Sequence, residues 1–201
     1  GKGRMWYNDG KEEAAAMTKT EARKLAKACR AAVDLHTVGH AMAGVLFTLP
    51  AWQHADTVLA FASMPDEPDT ADILRQALAE SKRLLLPRVL SRTEMDWVEI
   101  TALSQLQPGA YGILEAPASL PAFDTAHLGD GALALIPCLA ASPDGVRLGR
   151  GGGYYDRFLA HYKGKRLLVC PTAALLGDLP CEGWDVRFSP HEILTEKGIL
   201  L

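Results

Sequence analysis

Four short, almost wholly apolar runs constrain this chain most: Thr57–Ala62, Leu84–Leu86, Ala132–Pro137 and Arg166–Cys170. Each is short for a helix and lacks the strict polar/apolar alternation of a strand wet on one face. Each therefore reads as a strand buried on both sides, as in a parallel sheet. Helical patterns stand between and before them, over Lys19–Val33, over Ala41–Leu49 ahead of Pro50, over Thr70–Glu80, and from Tyr154 to about Tyr162. Met95–Ile100 alternates more and suits an antiparallel or edge strand. Strands alternating with helices predict a layered α/β fold with a largely parallel sheet. Ligands of such sheets bind beyond the carboxyl ends of the strands, so the polar segments 63–70, 87–92 and 137–153 should converge on one side.

The last of these segments contains the densest chemistry, Gly145-Val-Arg-Leu-Gly-Arg-Gly-Gly-Gly-Tyr-Tyr-Asp-Arg-Phe158. Gly149, Gly151, Gly152 and Gly153 allow a ligand to lie against bare backbone. Arg147 and Arg150 bring forked donors suited to phosphate oxygens. A glycine loop that feeds a helix at Tyr154 aims N–H groups and the positive dipole end at an anion. The bland alternative is a flexible surface loop, but linkers are Gly/Ser-rich rather than flanked by arginines and tyrosines. The segment is neither a Walker A loop, since no Lys-Ser/Thr follows, nor a dinucleotide fingerprint, since Tyr154 stands where the third glycine belongs.

Thr18 with Glu21 forms a capping-box pattern at the start of the first helix. Ala22, Leu25, Ala26, Cys29, Ala32 and Val33 recur at the spacing of one apolar face, and Lys19, Arg23, Lys27 and Arg30 line another. Such a stripe is by default a solvated surface; facing the glycine loop, it would instead supply charge for a polyphosphate. His36 and His40 have metal-ligand spacing but no third ligand in a zinc pattern, and read as exposed or capping histidines. Asp156 fits either a favourable helix-dipole position or a Mg²⁺ partner beside a bound polyphosphate. Tyr111 could stack on a flat ligand or simply pack. Asp185 and Glu196 read, by themselves, as surface acids. No G-x-S-x-G elbow, H-E-x-x-H or paired Cys–His template is present.

Composition narrows the class further. The 201 residues suit one domain, 18–201, preceded by a leader or expression remnant over 1–17, and 48% hydrophobic residues suffice for a sizeable core. A net charge of −3 argues against a nucleic-acid coat, and no apolar run reaches the length of a membrane span. Cys29, Cys138, Cys170 and Cys181 form no C-x-x-C pair, so a reduced, cytoplasmic protein is expected. Its expected partners are small molecules, with neither nucleic acid nor membrane, and its expected state is a monomer.

The segments together resemble the 5-formyltetrahydrofolate cyclo-ligase family, also called 5,10-methenyltetrahydrofolate synthetase. The resemblance rests on Leu135-Ile-Pro-Cys-Leu-Ala and Asp144 through Leu159. It continues in Lys19-x-x-x-Arg23, Phe61-Ala-Ser-Met-Pro-Asp-Glu67-Pro-Asp-Thr70, Leu86-Pro87-Arg88 with Met95-Asp96, Tyr111-Gly-Ile-Leu-Glu115, and Asp185 with Glu192 to Glu196. It implies a three-layer α/β/α fold with a mostly parallel sheet, and an enzyme dependent on ATP and Mg²⁺. ATP would phosphorylate the formyl oxygen of 5-formyltetrahydrofolate to an N5-iminium phosphate, which N10 would attack, with phosphate leaving.

Carried across residue by residue, the resemblance implies ATP contacts from Lys19, Arg23 and the loop Arg147, Leu148, Gly149, Arg150, Gly151, Gly152, Gly153, Tyr154 and Tyr155. Substrate contacts are implied for Ala62, Met64, Glu67 and Tyr111, and for Arg150 through Tyr154. Arg150 and Tyr154 are the implied catalytic pair, and Asp156 and Asp185 the implied Mg²⁺ ligands. The sequence departs from the family pattern at Cys138, where a glycine is usual, at Ala141-Ser142, where Phe-Asp is usual, and at Glu115-Ala-Pro117, one residue longer than usual. Two rivals remain: an ATP-dependent ligase for another formylated amine or pterin, and a non-catalytic nucleotide- or folate-binding module.

Overall fold

The structure, a computed structural model, describes residues 16–109 and 113–201. Of the expected leader only Ala16 and Met17 fall among them. Helix α1 (Lys19–Ala31) starts at the capping box read from the sequence, with Thr18 accepting from the Glu21 N–H and Glu21 reaching back to the Thr18 N–H. Helix α2 (Leu35–Thr48) is capped by Asp34, and the apolar pattern of 41–49 marks its end, as the sequence suggests. Pro50 then starts a short helix, α3 (Pro50–Gln53), rather than only ending the previous one. Strand β1 (Thr57–Leu59), helix α4 (Ala71–Ala79), β2 (Arg83–Val89) and β3 (Met95–Ile100) follow.

A small ribbon, β4 (Gln107–Pro108) with β5 (Leu114–Glu115), precedes β6 (Ala132–Pro137), β7 (Ala140–Ala141) and β8 (Arg147–Leu148). After α5 (Tyr154–Leu159) come β9 (Lys165–Val169), β10 (Ile193–Thr195) and β11 (Gly198–Ile199). The main sheet has seven strands in the order β11-β10-β9-β6-β1-β2-β3. The five inner strands are parallel, and β3 and β11 are antiparallel edges.

Strand pleating divides the apolar runs between two cores, as the absence of alternation predicts. Val58, Leu84, Leu86, Leu133, Leu135, Leu167 and Val169 face α2, α3 and α4. Leu59, Leu85, Ala134, Ile136 and Leu168 face α1 and α5. Fully burying such a side chain is worth about 1.5–3 kcal/mol, so each run stabilises both helical layers. The result is a three-layer α/β/α fold. No helix among the described residues is long and apolar enough to cross a membrane.

One face was read wrongly from sequence. Helix α1 buries Ala22, Ala26 and Arg30, while Leu25 and Val33 stand 40% and 36% exposed. The helix is turned so that Arg30 can donate to the carbonyls of Cys138 (3.0 Å) and Leu139 (3.3 Å) beyond the end of β6. Those buried acceptors need donors, and their need outweighs the exposure of two aliphatic side chains. The basic stripe is accordingly split: Lys27 is solvated, Arg30 is buried, and Lys19 and Arg23 turn toward the glycine loop. His36 and His40 are exposed, as the sequence suggests, and are bonded to Asp69 and Asp72.

Two backbone positions yield predictions of opposite sign. Gly39 packs so close to α4's leading turn that an added Cβ would lie 2.2 Å from the Asp69 carbonyl oxygen. Gly39→Ala should therefore destabilise by roughly 1–3 kcal/mol, despite a helix-propensity gain of about 1 kcal/mol. Ser81 sits at a left-handed φ of 58° just past α4, its N–H donating to Leu78 and that of Lys82 to Ala77. Ser81→Gly should stabilise by about 1 kcal/mol. Urea unfolding midpoints measure both.

Candidate functional site

The strand order places the site. From β1 the chain moves to β2 on one side, and β6, on the other flank of β1, starts the march outward to β9 and β10. The loops leaving β1 and β6 therefore diverge and open a crevice at their carboxyl ends. A cavity of about 630 Å³ lies there, within the usual range for small-molecule sites.

The loop after β1 forms one wall, and side-chain hydrogen bonds fix its shape. Thr70 Oγ1 donates to the Phe61 carbonyl at 2.6 Å and accepts from the Ser63 N–H at 3.0 Å. The buried Glu67 carboxylate accepts from the Met64 N–H at 2.9 Å. This holds Ala62, Met64 and Glu67 against the cavity. The strand itself stops at Leu59, shorter than its apolar run, although the Ala60 N–H still reaches Leu85.

The opposite wall is the glycine loop, raised on the β7–β8 hairpin. Gly145 turns that hairpin at φ 92°, and its backbone meets Phe188 so closely that a Cβ would sit 1.7 Å from the Phe188 oxygen. Arginines then tie the loop down through its carbonyls. Arg147 Nε donates to Pro137 at 2.9 Å, Arg23 Nε to Gly149 at 3.0 Å, and Arg157 Nη2 to Gly152 at 2.7 Å. Tyr154 donates its hydroxyl to the Ser91 carbonyl at 2.7 Å, anchoring the loop to the β2–β3 turn. Helix α5 has only six residues, shorter than expected, so guanidinium and ammonium groups rather than a long helix dipole supply the positive charge. Its N-cap, Gly153, has no side chain to occupy the first-turn N–H groups.

Arg150 spans the two walls. It donates to Asp66 at 2.6 and 3.2 Å and to Glu67 at 3.1 Å. Burial works against its charge, but these hydrogen bonds and the two carboxylate charges hold its pKa above the ordinary arginine value. Lys19 Nζ pairs with Glu182 at 2.9 Å and Asp185 at 3.1 Å. Burial opposes that charge too, and is outweighed by the two acceptors, which keep the Lys19 pKa raised. Tyr155 is half-buried beneath the loop, with Arg147 stacked 5.4 Å from its ring centre, and burial pushes its hydroxyl pKa far up. Asp156 faces Arg147 at 3.8 Å. Asp156 and Asp185 both border the cavity, and no group of three or more metal-ligating side chains forms among the described residues.

Every described residue singled out from the sequence as a site residue lines this one cavity: Lys19, Arg23, Ala62, Met64, Glu67, Arg147 through Asp156, and Asp185. Tyr111 lies outside the described residues. Of the departures, Cys138 borders the cavity, whereas Ala141 and Ser142 are buried in the supporting hairpin, with Ser142 Oγ accepting from the Val146 N–H at 3.0 Å. The sequence reading missed Arg157, Glu182 and the 76% exposed Trp184 at the rim. Arg157, four residues beyond Gly153, was legible as a loop clamp; Glu182 and Trp184 have no local pattern to mark them.

Comparison with known proteins gives a consistent result. The profile of the 5-formyltetrahydrofolate cyclo-ligase family matches residues 12–196. The chain is 30% identical over 154 residues to the 5-formyltetrahydrofolate cyclo-ligase of Escherichia coli, covering 74% of this chain and 84% of that one. It is 29% identical over 152 residues to the enzyme of the same name from Mycolicibacterium smegmatis, covering 72% and 76%. The solution structure of Aquifex aeolicus 5,10-methenyltetrahydrofolate synthetase superposes with a TM-score of 0.77 at 26% identity, over 92% of each chain.

The turn at Gly145 makes the loop's support testable. Gly145→Ala combines a left-handed φ with a backbone clash, and should cost at least ~2 kcal/mol in unfolding free energy. A urea midpoint equal to that of the parent protein would contradict this support.

Proposed function

The chain belongs to the 5-formyltetrahydrofolate cyclo-ligase family, and we propose that it closes 5-formyltetrahydrofolate to 5,10-methenyltetrahydrofolate with ATP. The observation carrying this reading is that one cavity gathers phosphate-binding and folate-binding candidates from four separate segments of the chain. Lys19, Arg23 and the backbone of Gly149 through Gly153 form the phosphate side, in accord with their charge and open N–H groups. Ala62, Met64 and Glu67 form the folate side, joined to the phosphate side by Arg150.

In this reading the γ-phosphoryl group passes to the formyl oxygen, giving an N5-iminium phosphate. N10 attacks the activated carbon, its proton leaves, and phosphate departs as the ring closes. The protein's work is alignment and charge stabilisation. Arg150 moves from its carboxylate partners onto the transferring oxygens, where fixed positive charge stabilises the developing negative charge. Tyr154, with its hydroxyl committed to Ser91, holds the loop over the substrate. Burial of Glu67 keeps one folate-side acceptor in a fixed place.

Asp156 and Asp185 would hold Mg²⁺. Oxygen donors at the cavity wall suit this ion, which takes one or two carboxylates and completes its shell with phosphate oxygens and water. When bound, the ion would neutralise charge between the phosphates.

Purified protein given ATP, Mg²⁺ and 5-formyltetrahydrofolate should generate 5,10-methenyltetrahydrofolate absorbance; folded protein that forms no product would sink the proposal. Arg150→Ala should lower turnover at least ~10-fold, the loss of one charge-assisted contact worth about 1.5–3 kcal/mol. Unchanged kinetics would place Arg150 outside the reaction.

A further inference from the structure

Cys138 and Cys170 occupy matching places on neighbouring strands. Strands β6 and β9 run parallel with Pro137 paired to Val169, and each cysteine is the next residue of its chain. Parallel neighbours send their side chains to one face and lie about 4.7–4.9 Å apart, inside the span of about 4.4–6.8 Å between Cα atoms that a disulfide bridges. Both residues belong to the core on the α1 side of the sheet and both thiols are free; Cys138 Sγ donates to the Val169 carbonyl at 3.3 Å and Cys170 Sγ to the Pro171 carbonyl at 3.6 Å. Cys170 is fully buried, while Cys138, 6% exposed, borders the cavity.

Their surroundings favour a thiolate. Arg30 is 1% exposed and spends Nη1 on the Cys138 and Leu139 carbonyls. Its Nε and Nη2 have no hydrogen-bond partner among the described residues. A buried cation with two idle donors beside two thiols stabilises negative charge on sulfur. Arg147 adds a second positive charge from the loop side. Despite burial, the neighbouring Cys170 thiol and these two arginines hold the Cys138 thiol below its ordinary value, and Cys170 is pushed well above. One thiol is set up to attack and the other to follow.

We propose that Cys138 and Cys170 form an oxidisable dithiol at the floor of the cavity, with Cys138 reacting with hydroperoxides and Cys170 resolving the product to a disulfide. The Cys138 thiolate attacks one peroxide oxygen; an S–O bond forms, the O–O bond breaks, and the departing oxygen takes a proton to leave as alcohol or water. Cys170, losing its proton, then attacks the sulfenic sulfur; the S–S bond forms and hydroxide leaves as water. Two thiols are oxidised by two electrons, and one hydroperoxide is reduced. The pair needs no ligase activity, so this inference stands apart from the folate reaction.

The test uses the full chain carrying Cys29→Ser and Cys181→Ser, treated while folded with hydrogen peroxide, then alkylated and read by mass spectrometry. Both remaining thiols should vanish together, with a Cys138–Cys170 linked peptide that dithiothreitol reverses. Adding Cys170→Ser should leave a sulfenic acid at Cys138 that dimedone traps. Adding Cys138→Ser should slow oxidation of Cys170 at least ~10-fold, as a buried protonated thiol requires. Circular dichroism establishes that each variant is folded, and the two-thiol parent decides the matter if a single-thiol variant is not. Two thiols that stay alkylatable after peroxide, or a disulfide that forms only in urea, would overturn the proposal.

Discussion

Backbone carbonyls that run past the end of β6 are the constraint on which the site depends. There the chain leaves the sheet and presents the oxygens of Pro137, Cys138 and Leu139, followed by those of Gly149 and Gly152 in the glycine loop. Arginine donates to each of them, from α1 (Arg23 and Arg30), from β8 (Arg147) and from α5 (Arg157). A buried acceptor without a donor costs about 1–3 kcal/mol, and hydrogen bonds from charged groups contribute about 1.5–3 kcal/mol. The loop is thus held by side chains where secondary structure cannot hold it.

The sheet supplies the other half of the arrangement. With β1 and β6 at the point where the strand order reverses, their following loops must part, and the cavity is the space between them. Arg150 crosses that space to Asp66 and Glu67. It therefore links the two walls chemically as well as physically: the same guanidinium that satisfies Asp66 and Glu67 lies on the glycine loop. A group so placed can change partners as substrates enter without any rearrangement of the sheet.

Much of this was legible in the amino-acid sequence, for reasons that differ by residue. The inner strands were legible because burial on both faces removes polar positions altogether, as at Leu84–Leu86 and Ala132–Pro137. Thr18 and Glu21 were legible because a capping box is local. The loop's glycines and arginines marked a candidate anion site, and the family resemblance linked them to Lys19, Glu67 and Asp185, which line the same cavity. The orientation of α1 was not legible. It is set by carbonyls more than a hundred residues away, which draw Arg30 inward and leave Leu25 in solvent. The start of α2 was obscured by Gly39, whose missing side chain serves a close contact with Asp69 rather than a break in the helix. Trp184 and Glu182 reach the rim by tertiary placement alone.

In the proposed reaction the cavity beneath the glycine loop joins a phosphoryl donor to the formyl oxygen of the folate. The most direct measurement follows that oxygen. With 5-formyltetrahydrofolate carrying ¹⁸O in its formyl group, ATP and Mg²⁺, the account predicts that the label appears in inorganic phosphate. Label released into water, with unlabelled phosphate, would contradict it.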